Sequence, residues 1–230
     1  MQLNQSKILT ILSLGICAPY AWAASVPVSP GGPAVIPGSN ATAPGAVVFV
    51  ERQDGTSSSN PAVSVSVTEY VVQAGGVPDF YYKITNTSTI DEAFGSISLT
   101  DYTRVSTAVA NNTATIGATP AGTIPAIIAS RTASGDTLNF EFAGNALNPG
   151  TSTEWLEIDT TGLLNVFSQN ATVTLDNGII TLTQFQSPIA PAPEPLTLGL
   201  LAGGLALLAI VHRRSTQRST GASKSWGVGP

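Results

Sequence analysis

The sequence predicts an all-β chain with one β-sandwich-like domain, and three observations support this fold class. Apolar and polar residues alternate with period two through most of the middle, for example over residues 63–68 (VSVSVT), as is typical of strands with one buried face. Clusters of turn residues separate these runs. The polar positions are mostly Ser, Thr and Asn, and a single sheet would leave the apolar faces exposed, so two packed sheets are expected.

The composition of the chain argues against several classes of function. The 230 residues carry a net charge of −5 and include one Cys and one His. An acidic chain lacks the positive surface that neutralises phosphates, so we expect no nucleic-acid partner. Cys17 and His212 lie near the two ends, so Ser-His-Asp and Cys-His catalysis are excluded for the middle. We therefore predict that the protein is not an enzyme and has no metal and no cofactor.

The first 23 residues have the pattern of a secretory signal peptide. Lys7 provides a positive n-region, and residues 8–18 form an apolar run too short to span a bilayer. Ala21 and Ala23 are the small residues of a cleavage pattern, so we expect cleavage after Ala23. A retained N-terminal anchor is the alternative.

Residues 24–45 are rich in Pro, Gly, Ala and Ser and are predicted to form a flexible leader. The β-sandwich domain is predicted over residues 46–186. Asn177-Gly178 lies between two β-prone runs, which predicts a hairpin with a two-residue turn. The apolar positions expected to face the core are Val63, Val65, Val67, Phe80, Tyr82, Ile84, Ile97, Leu99, Leu138, Phe140, Phe142, Leu156 and Ile158.

One strand of this domain carries a candidate sugar platform. Trp155, Glu157 and Asp159 share a strand face, and an aromatic ring beside two carboxyls is a pattern found in glycan-binding and glycan-cleaving sites. The alternative is a solvent-facing strand edge without a function, and we favour it.

The C-terminal end is predicted to reach a membrane. Residues 187–195 form a Pro-rich linker, residues 196–211 are 16 residues without a charge, and residues 212–230 form a basic tail. At about 1.5 Å per residue the apolar helix spans roughly 24 Å, slightly short of a bilayer core. Arg213 and Arg214 should hold the tail in the cytoplasm, which places the β domain outside.

Pro193-Glu194-Pro195 precedes this helix directly. A Pro-Glu-Pro triplet, a short apolar helix and an Arg cluster near the C-terminus resemble the PEP-CTERM sorting signal. The resemblance covers about residues 191–214, and the tail after Arg214 is longer than is usual in the family. It implies an exported protein of a Gram-negative bacterium and an exosortase partner that recognises Pro193, Glu194 and Pro195. It also implies an inner-membrane precursor, delivery to the cell surface or matrix, and association with exopolysaccharide or biofilm.

Two other interpretations stay open at this point. The chain could be a permanently anchored single-pass membrane protein with an adhesive or scaffolding β domain. It could also be an anchored glycan-active enzyme that uses Glu157 and Asp159. The triplet itself could belong to a Pro-rich stalk (PIAPAPEP) that only spaces the domain from the membrane.

Overall fold

A computed structural model describes residues 25–189 apart from residues 43, 75, 104, 145–146 and 162–166. The described residues belong to one compact unit that ends at Ile189. The expected signal peptide, apolar helix and basic tail lie outside the described residues.

The described residues form an all-β structure whose strands are two to eleven residues long. The strands in chain order are β1 (Val26–Pro27), β2 (Pro33–Val35), β3 (Ser39–Asn40), β4 (Ala46–Thr56), β5 (Ser64–Ala74), β6 (Val77–Asn86), β7 (Ser96–Leu99), β8 (Ser106–Asn112), β9 (Ala126–Arg131), β10 (Leu138–Phe142), β11 (Trp155–Thr161), β12 (Phe167–Leu175) and β13 (Ile180–Pro188).

The strands form two sheets, which confirms the prediction of an all-β fold with two sheets. The first sheet has the order β1-β8-β11-β6-β5-β4, with β3 attached to β8. The second sheet has the order β13-β12-β7-β10-β9-β2. The pairings are antiparallel except that of β3 with β8, which is parallel. Because antiparallel strands need only short connections, hairpins supply much of the topology.

The core lies between the two sheets, and the period-two pattern correctly identified thirteen of its members. One apolar cluster joins inward-facing side chains of both sheets. All thirteen predicted core positions, from Val63 to Ile158, are buried. Asn111 of β8 also links the sheets, because its amide donates to the Ala126 carbonyl at 2.8 Å and accepts from the Ala126 N–H at 3.0 Å.

The prediction of a flexible leader over residues 24–45 is wrong for the described part of this segment. β1 pairs with β8, β2 with β9 and β3 with β8, so the segment adds strands to both sheets. Val28 and Ile36 are buried in the core cluster. Pro and Gly made the segment look irregular, but short edge strands tolerate Pro because one side of an edge strand needs no ladder donor.

The domain also extends further towards the C-terminus than the predicted end at residue 186. Residues 187 and 188 belong to β13, and Ser187 is fully buried, so the linker expected from residue 187 begins later. The predicted hairpin between β12 and β13 is present, with Leu175 opposite Ile180. Its connection has four residues instead of two, because Asp176–Gly178 forms one turn of 3-10 helix.

A second apolar cluster lies on the outer face of the first sheet. It contains Tyr70, Val72, Tyr81, Ile116 and Trp155. The loop between β8 and β9 covers these rings, and it approaches the neighbouring backbone so closely that a Cβ at Gly122 would lie 2.2 Å from the Ser152 carbonyl oxygen. Glycine is therefore required at that point of the loop.

Candidate functional site

The predicted sorting and cleavage residues fall outside the described residues. These are Ala21, Ala23, Pro193, Glu194, Pro195, Arg213 and Arg214. Within the described ranges, no helix has the length and apolar character needed to cross a membrane. The structure therefore bears on the candidate sites of the β domain alone.

The strand that carries Trp155, Glu157 and Asp159 is not a sheet edge. β11 lies in the interior of the first sheet between β8 and β6. Trp155 is fully buried and meets the ring of Tyr70 edge-on, with ring centroids 5.3 Å apart. Glu157 is also buried. The favoured interpretation of a solvent-facing edge is thus wrong, and Trp155 does not present an open platform to a sugar either.

The carboxyls of Glu157 and Asp159 on this strand lie close to one carboxyl of β6, that of Asp79. Glu157 lies opposite Tyr81 and accepts a 2.7 Å hydrogen bond from its hydroxyl. Asn112 of β8 donates to the other oxygen of Glu157 at 3.0 Å. Asp159 lies opposite Asp79. Three acidic side chains therefore share the outer face of two adjacent strands.

Burial makes these acids hard to ionise. Burial, and to a smaller extent the neighbouring carboxyl of Asp159, raise the pKa of Asp79 to about 7. Burial likewise raises the pKa of Glu157 and of Asp159, and the hydrogen bond from Tyr81 partly opposes the rise for Glu157. Desolvation and like charge both disfavour the carboxylate form, so protons are retained to higher pH than on exposed acids.

The N-terminal segment lies over this acid cluster. Ser25 and Asn40 of this segment partly oppose the rise in pKa of Asp159 and of Glu157, respectively. Ser39 donates its hydroxyl hydrogen to Glu154. Acids with raised pKa can act in proton transfer, and here they lie beside residues 25–42, which pair with the first sheet through β1 and β3.

Sequence reasoning also missed Glu69, an acid that is fully buried. It points into the core between the sheets, and its Oε2 accepts the backbone N–H of Gln186 at 2.9 Å. Its Oε1 is buried with no hydrogen-bond partner among the described residues. The alternation Val65, Val67, Glu69, Val71 contained the signal, because period two places position 69 on the same inward face.

Metal ligation has little support among the described residues. They contain no group of three or more His, Cys, Asp or Glu side chains arranged around one point. Asp176 uses its carboxylate differently, since it accepts from the N–H groups of Gly95 and Ser96 and from the Ser96 hydroxyl. It joins the β12–β13 connection to the start of β7.

Comparisons of the chain with family models, with curated proteins and with solved structures give no match.

Proposed function

We propose that this chain is an exported, non-enzymatic protein of the cell surface or extracellular matrix, and that an exosortase recognises and cuts its C-terminal segment. The observation that carries the proposal is the ordered sequence Pro193-Glu194-Pro195, sixteen uncharged residues and Arg213-Arg214. A signal-peptide pattern stands at the opposite end of the same chain. In this proposal the precursor is held in the inner membrane of a Gram-negative bacterium before release.

The triplet has properties that suit a protease substrate. Proline fixes φ and removes an N–H, and each proline biases the residue before it towards an extended backbone. Glu194 would then be presented on a stiff, extended segment, where a cationic group of the processing enzyme could bind it. Pro193, Glu194 and Pro195 act here as recognition residues of a substrate.

The position of the last strand is compatible with such a cut. β13 ends at Pro188, and residues 189–192 separate it from the triplet. Ser187 donates its hydroxyl hydrogen to Oδ2 of Asp101 at 2.5 Å, and Tyr82 donates to the Gln186 carbonyl at 2.9 Å. Cleavage at or after the triplet would leave all thirteen strands of the described domain in one piece.

The test is the C-terminus of the mature protein, measured by intact-mass and peptide mass spectrometry on material from the native cell. We expect a terminus close to the triplet and loss of the apolar run and of Arg213 and Arg214. A mature chain that extends through Pro230 would overturn the proposal in favour of a permanently anchored protein. The same measurement on a strain without exosortase should give the uncut chain.

A further inference from the structure

A cavity of about 430 Å³ opens between the two sheets at the end of the domain where β1 and β9 lie. Three segments line it, namely residues 27–30, residues 103 and 105–107, and the end of β9 with the turn after it, which contribute Arg131, Ser134 and Gly135. This volume falls within the range of small-molecule sites, roughly 300–1,000 Å³. The N-terminal segment that docks on the sheets therefore builds one wall of a cavity.

Arg131 forms the charged part of the wall. Only 5% of its surface is exposed. Its Nε donates to the Gly135 carbonyl at 2.9 Å, its Nη1 to the Thr107 hydroxyl at 3.4 Å, and its Nη2 to the Tyr102 carbonyl. All three acceptors are neutral. Among the described lining residues, Arg131 is the only charged side chain.

The guanidinium retains unused hydrogen-bonding capacity. An arginine side chain carries five N–H donors, and three are accounted for above. The described residues contain one ion pair within 4.0 Å, Arg52 with Asp54, so no described carboxylate neutralises Arg131. A buried cation without an anion is costly, and an anionic ligand that entered the cavity would offset that cost.

Gly135 keeps the space beside the guanidinium open. Its φ of +73° is a conformation that favours glycine. A Cβ there would lie 3.5 Å from Nη2 of Arg131 and 3.3 Å from a ring carbon of Pro30. The turn therefore contributes a carbonyl that orients the guanidinium and leaves the volume in front of it free of side chain.

The remaining wall combines hydroxyls with small apolar surfaces. The hydroxyl side chains are those of Ser29, Thr103, Ser106, Thr107 and Ser134, and the apolar ones include Pro27, Val28, Pro30 and Val105. Arginine binds carboxylates with two parallel hydrogen bonds. Hydroxyls match the hydroxyls of a sugar, and the apolar side chains match the C–H faces of its ring.

We propose that this cavity is a binding site for an acidic monosaccharide unit, with the ligand carboxylate on Arg131 and the sugar hydroxyls on the Ser and Thr rim. The ligand class is a hexuronic acid, either free or as a unit of a polymer. The proposal does not depend on how the C-terminus of the chain is processed, so the two can fail separately.

The experiment is ligand-observed saturation-transfer NMR on the full chain in mild detergent. The probes are galacturonate, its neutral counterpart galactose, acetate, inorganic phosphate and trigalacturonate. We expect saturable galacturonate binding, and binding of galactose and of acetate at least about tenfold weaker, because each lacks one half of the recognised groups. Tighter binding of the trimer assigns a polymer as the source, and equal binding assigns the free acid.

Ser106→Tyr tests the location, because Ser106 is exposed on the rim and makes none of the hydrogen bonds of Arg131 given above. The matched control is Thr181→Tyr, an exposed position on β13 at the opposite edge of the second sheet. We expect Ser106→Tyr to abolish galacturonate binding and Thr181→Tyr to retain it, with equal thermal unfolding midpoints. Arg131→Lys should weaken binding about tenfold by removing the forked geometry.

Four results would overturn the proposal. The first is no saturable galacturonate signal, and the second is equal binding by galactose, which would remove the role of Arg131. The third is unchanged galacturonate binding in Ser106→Tyr, which would place the ligand elsewhere. Phosphate that competes as well as galacturonate would show a general anion site and would overturn the assignment to a sugar.

Discussion

The backbone N–H of Gln186 donates a 2.9 Å hydrogen bond to Oε2 of Glu69, a carboxyl buried between the two sheets. This contact joins the last strand of the second sheet to the interior of the first. Tyr82, which lies opposite Glu69, donates to the carbonyl of the same Gln186 at 2.9 Å. Both backbone groups of Gln186 are therefore held by side chains of the opposing sheet.

The buried acid should make the stability of the domain fall as pH rises. Burial raises the pKa of Glu69 from 4.5 to about 8, against a smaller opposing effect of the Gln186 N–H. The folded domain therefore keeps a proton that the unfolded chain releases, and stability is lost between these two pKa values. We expect Glu69→Gln to remove on the order of 3 kcal/mol of this loss, measured by urea unfolding at about pH 5 and pH 8.

The control for this experiment is Glu141→Gln, which changes an exposed glutamate on β10. It should leave the difference in unfolding free energy between the two pH values unchanged. Some pH dependence should remain in Glu69→Gln, because the pKa of Asp79 is also raised, to about 7. If the unfolding free energy of Glu69→Gln changed with pH as much as that of the wild type, the assignment of a protonated Glu69 would be contradicted.

The N-terminal segment should contribute measurable stability, contrary to what its composition predicts. Ile36 is 7% exposed and packs in the core, whereas its neighbour Val35 is 72% exposed. We expect Ile36→Ser to cost roughly 2–3 kcal/mol through lost burial. The matched change Val35→Ser should cost less than about 0.5 kcal/mol. If neither substitution changed the free energy of unfolding in denaturant, the segment would be detached from the domain in solution.

The loop that covers the outer aromatic cluster should not tolerate a side chain at Gly122. A Cβ there would lie 2.2 Å and 2.4 Å from the carbonyl oxygens of Ser152 and Thr153. Gly122→Ala must displace backbone, so we expect a loss of roughly 2 kcal/mol and a fall in Tm of about 4–8 °C. Gly32→Ala is the control, since its Cβ would make only an ordinary 3.5 Å contact. Equal Tm values for the two variants would refute the close approach.

Removal of the carboxylate of the Pro-Glu-Pro triplet should block processing. We expect Glu194→Ala to accumulate as uncut precursor in the membrane fraction, followed by immunoblotting against the β domain. Glu141→Ala removes one carboxylate from an exposed strand position instead and should be processed normally. Normal processing of Glu194→Ala would count against recognition of this residue by an exosortase.

The alternating residues identified the strands and their inward faces without any structure. Period two is a local property, because successive side chains of a strand point to opposite sides. For this reason the inward positions of Phe80, Tyr82 and Ile84 could be predicted from the sequence. The same reasoning extends to Glu69, whose inward orientation follows from the valines on either side of it. That inference places an acidic side chain in an otherwise apolar core, which composition alone does not suggest.

Only the tertiary structure decided which strands are neighbours and where a sheet is covered on its outer face as well as on its inner face. Trp155 and Tyr81 occupy outward positions of their strands, yet both are buried, because the β8–β9 loop folds over them. The cavity at Arg131 combines residues from three segments that are distant in sequence. Local periodicity contains no information about such contacts, since they depend on strand order and on the path of loops across a sheet.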